Sequence, residues 1–445
     1  NIFLSEAIHY AAHDPIEEWM TKLFCVPSGV DFESGPIETS ASIQYKPHPE
    51  KSVLKYVSKK AILSYSKLTE QYLRKIMVVL FHGQRSCHAD NLQTFLDSPL
   101  HHIFVLVGPT PATAIPDILS VIFVRQIPND KAAAREKFEN DQIISTLISQ
   151  YDEPMLAKYP GMEILHIATH PDAQRCGYAS QAITLLNKHI QGYQSNQDGE
   201  FHANDVLTNC SRAHVLAGVQ WLGVKFDATP KLFQFWSCAQ FEAIYLDPSC
   251  STSGDHAMIM MRSTNAETKD HAEAVSDILA RMRLEFSRRY FLLAQSLFRL
   301  FPLDISVALT MQFPPCRLSD KKKRSLVRAE LHVNDVHRLK TYVEHKSDLG
   351  RIRDLIPRLA KLYFLRILDA DAKNQTKACR TPALNALMIT ILMGIGMHGH
   401  SFDEILSHRP FSGTSITLFQ IKTLLADAIE ILTQMIDPFF DNSHI

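Results

Sequence analysis

Ile164-Leu165-His166-Ile167-Ala168-Thr169-His170-Pro171-Asp172-Ala173-Gln174-Arg175-Cys176-Gly177-Tyr178-Ala179-Ser180 is the stretch on which the fold turns. Its first part, Glu163–Thr169, is an apolar, β-branched run that reads as a strand. His170-Pro171-Asp172 opens a loop, and beyond it Ala179, Ala182, Ile183, Leu186 and Ile190 recur at helical spacing along one face. A helix that starts in such a loop exposes backbone N–H groups without internal partners and carries a partial positive charge at that end. Gly177 lets the backbone come close to a diphosphate, and the small Ala179 keeps the next turn clear.

Working outward, Ile103–Val107 and Leu119–Val124 are short β-branched runs separated by Gly108, Pro109, Pro111 and Pro116, which predicts two adjacent strands. Trp221–Phe226 predicts a fourth strand, Thr229-Pro230 a helix start, and Ala243–Leu246 and Ala257–Met261 the last strands. Strands and helices interleave between about residues 100 and 262, the pattern of an α/β domain. Before it, Asp14-Pro15-Ile16-Glu17-Glu18-Trp19 reads as a capped helix start, and the stretch around Val30–Lys51 as polar and irregular. After it, Ala272–Leu300, Val336–Glu344, Leu349–Leu368, Ala383–Met397 and Ile416–Ile436 read as helices of a separate all-α domain. The boundaries expected are 1–95 for a helical lead-in region, 96–265 for the α/β domain and 270–445 for the helical domain.

The chain has 445 residues, 46% hydrophobic and 21% charged, which excludes a largely disordered protein and a collagen-like one. Its eight cysteines include no CxxC pair, so neither a zinc ribbon nor a disulfide framework is expected, and no metal site is assigned. Reduced thiols and no membrane span are the expectation, since Ala383–Met397 is too short and carries Gly394 and Gly396. The net charge of −1 hides an uneven distribution: residues 281–380 hold 22 Lys and Arg against 10 Asp and Glu. A basic helical segment of this kind points to nucleic acid, through Arg281, Arg283, Arg288 and Arg289 on neighbouring turns and Lys321-Lys322-Lys323-Arg324 as a loop cluster.

The Gln174–Ala179 loop resembles the pyrophosphate loop of the GCN5-related N-acetyltransferase (GNAT) fold, a mixed sheet with flanking helices. The longer run Ile164–Ser180 resembles the acetyl-CoA segment of the RNA cytidine acetyltransferases, closest to their eukaryotic, nucleolar branch. Trp221-Leu222-Gly223-Val224, Thr229-Pro230-Lys231-Leu232 through Phe235-Trp236 to Phe241, and Gly254-Asp255-His256 follow in that family's order. Phe286-Ser287-Arg288-Arg289-Tyr290 and Leu392-Met393-Gly394-Ile395-Gly396 are similar to its C-terminal RNA-binding region; Asp14–Trp19 and Ser98–Phe104 fit upstream.

The resemblance implies acetylation of the exocyclic amine of cytidine in tRNA and small-subunit rRNA, with a role in small ribosomal subunit biogenesis. It implies acetyl-CoA as cofactor, held by Ile167, Ala168 and Thr169 and by Gln174, Arg175, Cys176, Gly177, Tyr178, Ala179 and Ser180. It places a functional histidine in the pair His101-His102, with His102 the first choice for base or substrate positioning and His256 and His166 behind it. It also implies rRNA, tRNA and ribosome-assembly factors as partners, a homodimer, and the nucleolus as location. ATP belongs to an upstream helicase-like module of the family, whose G-x-x-x-x-G-K-[ST] motif this sequence does not contain, so a larger parent protein is expected. The chain departs from the family at His166 and Cys238, where arginine is typical, and at Ala179, where glycine is typical. An alternative is therefore a catalytically weakened acetyltransferase-fold scaffold that acts as a pre-rRNA assembly factor. A protein acetyltransferase is the third reading, and it leaves the basic helical domain unexplained.

Overall fold

The computed structural model describes residues 11, 14–24, 46–64, 66–83, 90–109, 116–128, 142–192, 206–210, 214–250, 254–264, 269–314, 319–345, 348–368, 384–408, 411 and 416–440. Most of the polar stretch around Val30–Lys51, and Cys25, Cys87, Cys316 and Cys379, lie outside them. The strands are β1 (Val53–Val57), β2 (His101–Val107), β3 (Ile118–Ile127), β4 (Gly161–Thr169), β5 (Leu207–Asn209), β6 (Trp221–Asp227), β7 (Glu242–Cys250) and β8 (His256–Ser263). The helices up to β7 are α1 (Pro15–Phe24), α2 (Lys59–Ile62), α3 (Lys67–Gly83), α4 (Asp90–Asp97), α5 (Gln142–Tyr151), α6 (Tyr178–Gln191) and α7 (Pro230–Cys238). Beyond β8 come α8 (Lys269–Leu293), α9 (Leu303–Gln312), α10 (Asp320–Glu330), α11 (Val333–His345), α12 (Ile356–Phe364), α13 (Ala386–Leu392), α14 (Phe402–Ser407) and α15 (Leu418–Phe440).

The strands form one sheet in the order β5-β1-β2-β3-β4-β6-β8-β7. β1 pairs antiparallel with β2 and β5, β2 with β3 and β3 with β4, whereas β4 and β6 run parallel, so the sheet is mixed. The sheet begins earlier than the expected boundary at residue 96, because β1 lies in it. β1 is hard to read as a strand: only Leu54 and Val57 of its five residues are buried, and its partner β2 is some fifty residues away.

The chain groups into two compact units, each taken by itself. One comprises Asn1–Lys225, Phe235–Phe241 and Met260–Ile278, and the other Phe226–Gln234, Glu242–Ile259 and Leu279–Ile445. In the first unit, Ile103, Val105, Val107, Val121, Phe123 and Ala168 pack with Ile76, Met77 and Leu80 of α3 and Phe95 of α4. Side chains alternate across a strand, so the intervening Phe104, Leu106, Ile122 and Val124 point to the opposite face. α6 contributes nothing to the α3 cluster and packs on β1 to β4, which places it on that other face. Its buried residues, Tyr178, Ala182, Ile183, Leu186, Asn187 and Ile190, contain most of the apolar stripe read from sequence.

The second unit has a core drawn from α9 to α15, with Leu339, Leu355, Leu359, Ile391, Leu425 and Leu432 fully buried. The helix expected over Leu349–Leu368 is shorter, Ile356–Phe364, and the one expected from Ala383 starts at Ala386 and gives way to a π-helical turn at Met393–Met397. The four basic residues expected in a loop lie in α10 instead. Lysine and arginine are good helix formers, and the apolar Leu326 and Val327 continue the pattern. Among the described residues, no helix is long and apolar enough to cross a membrane.

Candidate functional site

The site is built where β4 and β6 separate. They pair in parallel from Gly161↔Trp221 to Ile164↔Val224, and the ladder stops there. A Cβ on Gly161 would lie 1.9 Å from Trp221 Cε2, so only glycine lets the indole seat across the strand junction. The Trp221 indole N–H donates to the Tyr159 carbonyl at 2.9 Å, which fixes that seat.

Beyond Ile164, β4 is paired among the described residues only to β3: His166 opposes Phe123, Ile167 Ile122, Ala168 Val121 and Thr169 Ser120. The register shifts between Phe123 and Val124, leaving Leu165 as an extra residue outside the ladder. Among the described residues, Ile167, Ala168 and Thr169 thus have no ladder partner on their β6 side. Such an edge can pair with an extended amide chain. Ser120 donates its hydroxyl to the Ala168 carbonyl at 2.8 Å and stiffens the strand from its β3 side.

The strand then turns into α6. The buried His170 imidazole accepts from the Asp172 N–H at 3.2 Å and caps a single 3-10 turn over Pro171–Ala173, a function the sequence reading did not assign. Arg175 has φ +64° and Gly177 φ +88°, so two left-handed residues curl the loop around Cys176. Among the described residues, a Cβ on Gly177 would meet only Pro49 Cγ, at 3.7 Å, so it is the backbone conformation, not crowding, that requires glycine. Gly177 is the α6 N-cap and offers no side-chain acceptor. Alternating left-handed backbone at an uncapped helix N-terminus forms an anion cradle. Gln174, Arg175, Cys176 and Gly177 are all exposed, as a diphosphate seat requires. Tyr178 differs from the expectation: its ring is buried and its hydroxyl donates to the Pro47 carbonyl at 2.5 Å, so only its backbone faces the loop. Ala179 is half-buried and Ser180 exposed.

The histidine pair divides between the two faces of the sheet. His101 sits against Phe123, ring centroids 5.5 Å apart, on the α3 face. His166 stacks on the other side of Phe123 at 5.9 Å, so it too points to the α3 face. The Arg125–Glu163 ion pair shares that side, and burial, Arg125 and Lys59 together push His101 down to about 4. His102 points to the opposite face, with its Nδ1 3.1 Å from the Tyr56 hydroxyl. It is 8% exposed, and burial, then Lys59 and His101, lower it to about 4. The register sets His102, Val124, Ile164 and Val224 in one row across the sheet, on the last β4–β6 rung. His102 is the member of the pair that shares a face with the point where the strands part. Tyr56 was not foreseen from sequence. Of the two arginine-replacing residues, His166 is half-buried and Cys238 exposed at the end of α7.

His256 belongs to the second unit and is structural there. Its Nδ1 lies 2.8 Å from the Asp247 carbonyl, and its ring packs edge-on against Phe298 and Phe301. The basic residues also divide. Arg283 bridges to Glu242 at 2.7 Å and donates to the Gln312 carbonyl, and Lys323 is buried, so both serve the fold. Arg289 pairs with Glu285 at 3.1 Å, and Arg324 reaches the Pro438 carbonyl at 3.5 Å, where α15 ends. Arg281, Arg288, Lys321 and Lys322 are exposed. Among the described residues, no group of three or more His, Cys, Asp or Glu is placed to hold a metal ion.

Two family descriptions match the chain: GNAT acetyltransferase 2 over residues 75–214 and 202–265, and "Possible tRNA binding domain" over residues 279–435. The RNA cytidine acetyltransferase of Dictyostelium discoideum is 26% identical over 93% of this chain and 43% of its own length. That of Homo sapiens is 26% identical over 91% and 41%, and that of Achlya ambisexualis 29% over 60% and 80%. The chain therefore spans about two fifths of the length of the first of these relatives. Among solved structures, Arabidopsis thaliana NAA60 in complex with acetyl-CoA is similar over 48% of this chain and 99% of that one, with 10% identity and a TM-score of 0.30. The chain thus carries a GNAT acetyltransferase domain followed by a tRNA-binding-type domain, and along most of its length it is similar to proteins of one name, the RNA cytidine acetyltransferases.

Proposed function

We propose that this chain transfers an acetyl group from acetyl-CoA to the exocyclic amine of cytidine in RNA. The observation that carries the reading is the separation of β4 from β6 at Ile164 and Val224, followed directly by the Gly177-led start of α6. Ile167–Thr169 would hold the pantetheine amides along the open strand edge, and Gln174–Ser180 the diphosphate. The residues present fit that cofactor, because the loop is exposed, left-handed at Gly177 and free of a capping side chain. When bound, acetyl-CoA supplies an acyl carbon activated as a thioester.

The amine of cytosine is conjugated with its ring and is a poor nucleophile, so the protein must help the acyl oxygen accept charge. The N4–carbon bond forms, the carbon–sulfur bond breaks with its electron pair leaving on sulfur, and the proton lost by the amine balances the thiolate. We assign His102, on the last β4–β6 rung, to this centre; His101 and His166 serve the α3 face. RNA backbone contact falls to the exposed Arg281, Arg288, Lys321 and Lys322. On the family resemblance we take the RNAs to be tRNA and small-subunit rRNA. On the same basis the setting is nucleolar small-subunit assembly, alongside ribosome-assembly factors, and the working form a homodimer.

The test incubates the chain with acetyl-CoA and RNA and reads N4-acetylcytidine by mass spectrometry after nuclease digestion. Acetylcytidine that requires both reactants supports the proposal. Acetyl-CoA binding without acetylcytidine on any RNA offered refutes it and favours the scaffold reading, which the exposed thiol of Cys238 in place of the family's arginine motivates.

A further inference from the structure

The Tyr56–His102 pair decides what His102 can do. The two side chains come from neighbouring antiparallel strands, with Tyr56 set opposite Phe104 and its ring 5.9 Å from the imidazole. A phenol is a stronger acid than the N–H of a neutral imidazole, so across the 3.1 Å contact the hydroxyl donates and Nδ1 accepts. The single ring proton of the neutral imidazole then sits on Nε2. That nitrogen is buried and has no hydrogen-bond partner among the described residues. A buried donor left without an acceptor carries a desolvation penalty that an incoming acceptor relieves.

We propose that Tyr56 is a positioning residue that fixes the Nε2–H tautomer of His102, so that His102 donates a hydrogen bond to a ligand carbonyl oxygen and does not act as a proton acceptor. This deepens the acetyl-transfer reading and rests on it. Two observations support the donor role. His102 shares a row and a face with Ile164 and Val224, two strand spacings (roughly 10 Å) from β4. Its lowered pKa, about 4, keeps it neutral at pH 7 and makes it a weak base, which suits a donor and not a general base. The carbonyl has two sources in this reaction, the thioester of acetyl-CoA and the ring carbonyl of cytosine, and the ligand series below separates them.

The experiment is long-range nitrogen–proton NMR on the full chain with labelled histidine, His102 being assigned by its absence in His102→Gln. The expected spectrum has a pyridine-type Nδ1 and a pyrrole-type Nε2, and Tyr56→Phe destroys that preference. A pyrrole-type Nδ1 in the unmodified chain, or an unchanged pattern in Tyr56→Phe, overturns the assignment. Acetyl-CoA, coenzyme A and a cytidine-containing oligonucleotide are then titrated separately. A shift of Nε2–H with acetyl-CoA but not coenzyme A identifies the thioester carbonyl, a shift with the oligonucleotide identifies cytosine, and no shift with any refutes the donor role.

In the acetylation assay, His102→Ala loses roughly 100- to 1,000-fold in kcat, as expected for one oxyanion donor. His102→Gln keeps an amide N–H near the Nε2 position and recovers at least about tenfold of that loss. Equal inactivity of the two variants would mean that the ring's basicity is required, contrary to the proposal. Failure of acetyl-CoA to bind, read by calorimetry, would sink the acetyl-transfer reading while leaving the tautomer result to stand by itself.

Discussion

Gly177→Ala is the change that probes the cofactor loop most cleanly. Gly177 has φ +88°, and a Cβ there would touch, among the described residues, only Pro49 Cγ at an ordinary 3.7 Å, so the substitution adds no clash with them. What it adds is the cost of an L-residue in left-handed backbone, about 1–2 kcal/mol. If the loop keeps its shape, that cost appears as lost stability, a fall in Tm of roughly 2–8 °C at about 2–4 °C per kcal/mol for a unit of this size. If the loop relaxes instead, the same energy is charged to acetyl-CoA binding, where each 1.4 kcal/mol is about tenfold in Kd. Thermal melts with and without acetyl-CoA, together with calorimetric titration, read both. Gly177→Asn tolerates left-handed backbone better and loses less than Ala. A Gly177→Ala variant with unchanged Tm and unchanged affinity would refute the claim that the left-handed loop is the cofactor seat.

Other substitutions separate packing from function. Gly161→Ala drives a methyl to 1.9 Å from the Trp221 ring and lowers stability by about 2–3 kcal/mol in a denaturant titration, a cost typical of overpacking. Arg283→Ala breaks the contacts to Glu242 and the Gln312 carbonyl and costs roughly 1–3 kcal/mol of stability, while the salt dependence of RNA binding stays the same. Lys321→Ala, Lys322→Ala and Arg288→Ala do the reverse: stability holds, and the slope of log affinity against log salt falls by about 0.7–0.9 for each cation that contacts phosphate. Acid should destabilise the fold. His101, His102 and His398 are each lowered from 6.5 to about 4, so the unfolded chain binds more protons between those values. The stability they contribute is complete above 6.5 and lost as pH falls toward 4, which urea midpoints at about pH 7 and about pH 5 would register.

The sequence carries the centre of the sheet because its strands are dense in β-branched residues: Ile103–Val107, Leu119–Val124 and Glu163–Thr169 all fall within observed strands. The Gly177 loop was legible for a different reason, since a lone glycine ahead of an apolar helical stripe has few other uses. β1 was not, because Val53, Lys55 and Tyr56 are not buried and nothing local names β2 as its partner. That loss hid Tyr56, which meets His102 across 46 residues of sequence. The separation of His101 from His102 follows from the two-residue repeat of a strand, but which face matters depends on where β4 leaves β6, a tertiary fact. Composition likewise sums Arg283 and Lys323 with the exposed cations; only burial shows that these two serve the fold.

Hydrogen–deuterium exchange of the chain with and without acetyl-CoA tests the central claim most directly. Slowed exchange confined to Leu165–Thr169 and Gln174–Ser180, the open edge of β4 and the start of α6, is the expected result. Saturating acetyl-CoA that leaves both segments unprotected, or that protects a different part of the chain instead, would contradict it.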